Sequence, residues 1–188
     1  MVYGGSLPER RVLDRPEMGS WVDEVIPVSE LATTRLEHLD ALWIPEGTHH
    51  GRLRQGAGGV CGMLERGATV AVFGDQPSEW LAGLRWEWRS VRTCGELSAV
   101  DPDHPFHRNV PLDGATWHHH GVLRPVEGAA TLVATADGAA VVSIDTVSTP
   151  GTVMAATFDP VSHFGTSMMP AAGRFLERFL PWLVSGGD

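Results

Sequence analysis

Short apolar runs that alternate with helix-like stretches predict an α/β domain, a mostly parallel sheet with helices on both faces. Three runs carry that prediction. "DALWIPEG" (residues 40–47), "ATVAVFG" (68–74) and "TVMAATF" (152–158) are apolar segments bounded by turn residues, the pattern of strands buried in a core. The chain has 188 residues, 43% hydrophobic and 20% charged, which suits one well-filled core and predicts a single domain over 1–188.

Taken in order, "MVYGG" reads as a short first strand and "DEVIPV" (23–28) as a second. Ser29 is placed to cap a helix over "ELATTRLEHL" (30–39). After the strand in 40–47, Leu53, Ala57, Val60, Cys61 and Leu64 fall at helical spacing, with Gly67 positioned to close that helix. Gly56, Gly58, Gly59 and Gly62 weaken it by up to about 1 kcal/mol each relative to alanine, so close packing against the sheet must hold it. "LRWEWRSV" (84–91) alternates Leu84, Trp86 and Trp88 against Arg85, Glu87 and Arg89, as a half-buried strand does. "TLVATADGAAVVSIDTV" (131–147) is two strands joined at Asp137 and Gly138, a pair that suits a tight hairpin. A turn at Pro150 and Gly151 leads into the run at 152–158. The last helix places Ala172, Phe175, Leu176, Phe179, Leu180 and Leu183 on one face, with Pro181 expected to kink or fray its final turn.

Composition excludes several function classes. The formal charge of −9 leaves no basic stripe for a phosphate backbone, so no nucleic-acid partner is expected. All 14 basic residues are arginine, which rules out a Schiff-base lysine, a phosphate-loop lysine and a lysine base. No apolar run reaches the roughly 18 residues a membrane helix needs, and no basic-then-apolar leader opens the chain. No membrane partner is therefore expected, and a cytoplasmic location is the default. Cys61 and Cys94 are too few for a disulfide framework.

In an open α/β sheet, ligands bind outside the carboxyl ends of the parallel strands. The residues just after each strand are accordingly the candidates: Gly4, Gly5 and Ser6; Glu46, Gly47, Thr48, His49 and His50; Gly74, Asp75 and Gln76; and Asp159, Ser162 and His163. Folded as expected, these would share one rim, with Asp75, Asp159 and His163 as candidate catalytic groups. Glu46, Gly47, Thr48, His49, Gly74 and Gln76 would bind a small-molecule ligand. Gly47 leads into a helix N-terminus and could offer backbone N–H groups to an anion.

"DALWIPEG" before a glycine-containing helix, "GATVAVFGD" and the late "TVMAATFDPVSH" resemble class I glutamine amidotransferase-like domains. "DHPFHRNVP" (103–111) and "SHFG" followed by "AAGRFLERFLPWL" are more similar to the trehalose-utilisation (ThuA-like) branch. The resemblance covers most of residues 20 to 184 in order and spacing. It implies a flavodoxin-like three-layer sandwich, a homodimer, and a carbohydrate as ligand class. It also shows what is missing. Active amidotransferases place a thiol in a Gly-x-Cys-x-Gly elbow and a base in a late His-Pro-Glu. Here the elbow reads Phe73-Gly74-Asp75-Gln76-Pro77 and the late motif Asp159-Pro160-Val161. A thiolate paired with imidazole is the requirement for glutamine hydrolysis, so glutaminase activity is expected to be absent.

Histidine and aspartate could instead hold a divalent metal and activate water, making the protein a metal-assisted hydrolase or lyase. His49, His163, His118 and His120 are the candidate ligands. In "WHHHG" (117–121), His118 and His120 would share a strand face while His119 points away. The plainer reading there is an edge strand or loop with solvated or hydrogen-bonded imidazoles. Asp75 as a carboxylate nucleophile would need Asp159 or Glu46 about 5 Å away. Of the tryptophans at 43, 80, 86, 88, 117 and 182, most should be core, with one or two able to stack on a sugar face.

Overall fold

The computed structural model describes residues 1–89, 97–110, 119–167 and 169–186. Its centre is β3 (Ala41–Ile44), β4 (Thr69–Phe73) and β10 (Thr152–Ala156), which are the three apolar runs. They pair in parallel in the order β3-β4-β10, with Ala41 opposite Thr69 and Thr69 opposite Thr152. β4 is buried at every position because it is flanked by strands on both edges and covered on both faces.

The period-two alternation of strands divides the interior into two cores. Trp43, Ala71, Phe73, Met154 and Ala156 face α6 (Pro170–Val184), whose Phe175, Leu176, Phe179 and Leu180 fill that side. Leu42, Ile44, Val70, Val72, Val153 and Ala155 face α3 (His50–Glu65), which contributes Leu53, Val60, Met63 and Leu64. Phe73 sits edge-on to Phe179 at 4.9 Å, and Phe175 stacks on Phe179 at 5.7 Å. Such ring pairs add about 0.5–1.5 kcal/mol each beyond their buried area. All six apolar residues expected on the terminal helix are buried, and the helix runs on through Pro181 to Val184.

The expected mostly parallel sheet, and with it the flavodoxin-like sandwich, is corrected. Among the described residues the main sheet has eight strands and is mixed. β8 (Ala130–Thr135) and β9 (Ala140–Asp145) form an antiparallel hairpin, with Gly138 at φ 82° in its turn. β9 then pairs antiparallel with β10, and β6 (Leu97–Ala99), β7 (Val122–Leu123) and β5 (Trp86–Glu87) add further antiparallel pairings. The reason is chain length. Only residues 146–151 separate β9 from β10, whereas a parallel crossover takes about a dozen residues or more. A separate two-stranded parallel sheet joins β1 (Val2–Tyr3) to β2 (Ile26–Pro27).

Two local expectations also fail. Residues 30–39 form successive turns and no helix; Thr33 and Thr34 turn their hydroxyls onto the Glu30 carbonyl. That segment lays Leu31 and Leu36 on α3, which explains two of its glycines. A Cβ at Gly56 would lie 2.6 Å from Leu31 Cγ, and one at Gly59 would lie 3.2 Å from Leu36 Cδ1. In 84–89 only Trp86 and Glu87 are strand; Leu84 is buried but Trp88 is 69% exposed. α1 (Leu7–Leu13), α2 (Pro16–Gly19), α4 (Pro105–Asn109) and α5 (Pro160–Gly165) complete the fold. Among the described residues, no helix is long and apolar enough to cross a membrane.

Candidate functional site

The carboxyl ends of β3, β4 and β10 release Glu46, Asp75 and Asp159 toward one another. Gly74, at φ 79°, turns the chain out of β4 and donates its N–H to the Ala156 carbonyl at 2.8 Å. A Cβ there would stand 2.5 Å from Glu46 Cβ, so the two strand-end loops are in direct contact. Glu46 in turn accepts the backbone N–H of Ser162 at 2.5 Å, joining β3 to α5. Its second oxygen, Oε2, is buried without a hydrogen-bond partner among the described residues. Burial pushes the Glu46 carboxyl up to about 7, against the pull of the Ser162 hydrogen bond and with help from the charge of Asp159.

Asp159 is the hub. Its Oδ1 lies 3.1 Å from His163 Nε2 and its Oδ2 3.1 Å from His120 Nε2. The Asp159 and His163 side chains are 15% and 12% exposed, while His120 is 47% exposed and so reaches solvent. The hydrogen bond to Asp159 raises the His120 pKa, and the charges of Asp159, Asp75 and Glu46 add to the effect against burial. His120 is held by its backbone as well. Its N–H donates to the Thr157 carbonyl at 2.8 Å, and its carbonyl accepts the Trp86 indole N–H at 2.5 Å. Gly121 follows at φ 77°, where a Cβ would strike the Glu87 carbonyl at 2.4 Å.

Asp75 is exposed at the same rim, and its charge acts on His50 as well as on His120. Burial lowers the His50 pKa, with Asp75 opposing and His49 assisting. His50 Nδ1 is buried without a partner among the described residues, as is Thr157 Oγ1. Glu46, His50 and Thr157 thus each carry a polar atom withdrawn from water, on elements that end or begin at the strand tips.

Other sequence candidates serve the scaffold. Thr48 is 3% exposed and spends its hydroxyl on the Pro45 carbonyl at 2.7 Å. His49 caps α3 by accepting the Arg52 N–H on Nδ1 at 3.4 Å. Gln76 is 5% exposed, donating to the Phe73 carbonyl and accepting from the Trp80 indole, so its amide is used internally. Gly47 is an open turn at φ 75°. Ser6 and Glu9 form a capping box on α1, and Glu9 also takes the Gly4 N–H. His118 and Cys94 lie outside the described residues. Cys61 is half-buried on α3, away from the strand tips. Among the described residues, no three His, Cys, Asp or Glu side chains are grouped to hold a metal ion. His120 as the partner of Asp159 is the pairing that sequence patterning does not supply, because strand-face logic ties His120 to His118 and not to a residue 39 positions away.

No family model matches the chain, and no curated protein matches it. Solved structures do share its fold. A cytoplasmic protein of Salmonella typhimurium superposes with a TM-score of 0.60 at 10% identity, over 96% of this chain and 87% of its own. A second cytoplasmic protein, from Salmonella typhimurium LT2, gives 0.60 at 10% over 94% and 87%. An exo-beta-1,4-mannosidase of Opitutaceae bacterium strain TAV5 gives 0.56 at 14%, over 93% of this chain but 30% of the mannosidase. At these identities the likeness is one of fold.

Proposed function

We propose that this domain binds a small, polar, hydroxyl-rich molecule of the carbohydrate class at the strand-end cluster, without hydrolysing glutamine. The observation that carries the reading is the Glu46–Asp159 pair. One carboxyl is withdrawn from water with an unpartnered oxygen, and the other is braced by two imidazoles. A carboxyl that keeps its proton near neutrality can donate to a ligand hydroxyl, while a carboxylate beside it accepts from one. The absence of a thiol in Phe73-Gly74-Asp75-Gln76-Pro77 supports the exclusion of glutamine chemistry. The ThuA-like resemblance of the sequence favours sugars as the first ligands to try, and the mannosidase neighbour is named for acting on one. We place the protein in the cytoplasm on the same footing, as two of its structural neighbours are named cytoplasmic proteins.

The test is calorimetric titration with glucose, mannose, trehalose and mannobiose, run on the wild type and on Asp159→Asn. The expected result is saturable binding of at least one sugar that the substitution weakens by about tenfold, the worth of one charge-assisted hydrogen bond. No saturable binding up to about 10 mM, weaker than most specific sites, or release of ammonia from glutamine, would overturn the reading.

A further inference from the structure

At the opposite end of the sheet, where β3 begins and α6 finishes, a cavity of about 170 Å³ opens to solvent. Its floor is apolar, made by Trp43, Leu180 and Leu183, which are 3%, 2% and 3% exposed. Trp21 and Val184 stand at its mouth, 43% and 49% exposed. Its rim is acidic: Asp23, Glu24 and Asp40. Glu24 is engaged by His38 at 2.8 Å and the charge of Asp23 acts on the Met1 amine, while neither Asp23 nor Asp40 makes an ion pair among the described residues. The Met1 amine is turned onto the Glu24 carbonyl at 2.8 Å. Within this lining, the Trp43 indole Nε1–H is buried and has no hydrogen-bond partner among the described residues. A donor left unmet beside an open cavity is a demand for an acceptor atom in that cavity.

We propose that this cavity binds a small amphipathic organic cation of the hydroxyarylalkylamine type. Its ammonium pairs with Asp23 and Asp40, its ring lies on Trp21, Leu180 and Leu183, and its oxygen accepts from Trp43. The lining discriminates by chemistry. An anion meets the acidic rim and is repelled, and a purely apolar molecule strips water from Asp40 without replacing it. The site uses none of the residues of the strand-end cluster, so its occupancy and that of the cluster are separately measurable.

The full chain, labelled with nitrogen-15, is titrated with tyramine and followed by two-dimensional NMR, with the Trp43 indole resonance assigned from Trp43→Phe. 2-Phenylethylamine, which lacks the oxygen, and 3-(4-hydroxyphenyl)propionate, which carries a carboxylate in place of the amine, serve as comparisons. Tyramine is expected to bind saturably and to move the Trp43 indole signal. 2-Phenylethylamine should bind about fivefold more weakly and leave that signal in place, and the propionate should not bind. Asp40 is exposed, so Asp40→Asn keeps the fold and should weaken tyramine about tenfold even where Trp43→Phe perturbs packing. Absence of saturable tyramine binding, equal binding of the propionate, or indifference to Asp40→Asn would overturn the proposal.

Discussion

The Glu46 carboxyl accepts the Ser162 backbone N–H at 2.5 Å, tying the tip of β3 to the first turn of α5 across 116 residues of chain. That bond does two things at once. It fixes α5 so that Asp159, at its start, is presented to His163 and His120, and it draws the Glu46 carboxyl out of water close to the charge of Asp159. Position is set by the bond; protonation is set by the burial, which raises the Glu46 pKa against the bond's own lowering pull.

The protonation half is measurable as stability. A glutamate whose ordinary value is 4.5 and which is pushed up to about 7 in the folded chain keeps its proton after the unfolded chain has lost it. Between those limits the folded state binds more protons, so its stability falls as pH rises from the first to the second and stays at the lower level above. Glu46→Gln keeps an acceptor for Ser162 but cannot ionise. Urea unfolding should find the variant and wild type similar near about pH 4.5, and the variant more stable by up to about 3 kcal/mol near about pH 8. Stability curves that stay parallel across that range would contradict the assignment.

Asp159→Asn tests the positional half. Asp159 is the first cause of the raised His120 pKa, so the substitution should return His120 toward the ordinary histidine range, seen by NMR titration of its ring. A raised histidine pKa stabilises the fold below the unfolded-state value and loses that effect as pH climbs through the folded-state value. The melting temperature of Asp159→Asn should therefore drop further below wild type near about pH 5.5 than near about pH 8.5. An unmoved His120 titration would remove Asp159 from its place as the hub.

Trp86→Phe keeps a ring in place and deletes the indole N–H that holds the His120 carbonyl. The expected loss of stability is about 1 kcal/mol, that of one hydrogen bond. The more telling readout is sugar titration. If Trp86 positions His120, affinity falls in Trp86→Phe while the far cavity still takes tyramine, and equal loss at both places would mean general loosening of the fold.

The parallel core was legible because its signal is local: three apolar runs with turn residues after them, and a hairpin announced by Asp137 and Gly138. The sheet's mixed sense was less so, although the short span between the strands of 140–145 and 152–156 excludes a parallel crossover once both are recognised. The segment at 30–39 misled because a serine placed like an N-cap also precedes a turn-rich segment, whose leucines here settle on the glycines of α3. At the site, strand-end logic named Glu46, Asp75, Asp159 and His163, which the fold brings to one rim. It also named Thr48, His49 and Gln76, whose polar atoms are engaged within a few residues of themselves. Nothing in spacing distinguishes a loop polar group that caps its own helix from one that waits for a ligand. The difference lies in hydrogen bonds that only the folded backbone reveals.

Gly74 is where fold and site constrain each other most tightly, and a pair of glycine substitutions separates the two contributions. Gly47 and Gly74 have similar backbone angles, φ 75° and 79°, so alanine costs each about 1 kcal/mol of conformational strain. Around Gly47 no atom lies within 4 Å of an added Cβ, whereas at Gly74 the Cβ would meet Glu46 Cβ at 2.5 Å and Cα at 3.0 Å. Overpacking of that kind adds about 1–3 kcal/mol, because the obstacle is the start of a side chain fixed to backbone and cannot swing away. Gly47→Ala should therefore lose about 1 kcal/mol in urea unfolding and Gly74→Ala about 2–4 kcal/mol. Relief of the clash would have to move Glu46, so Gly74→Ala should also break the Ser162 bond and, by letting water reach the carboxyl, bring the Glu46 titration toward ordinary glutamate. Equal costs at the two glycines would show that the β3 and β4 loops do not press together, and the cluster would lose the contact that assembles it.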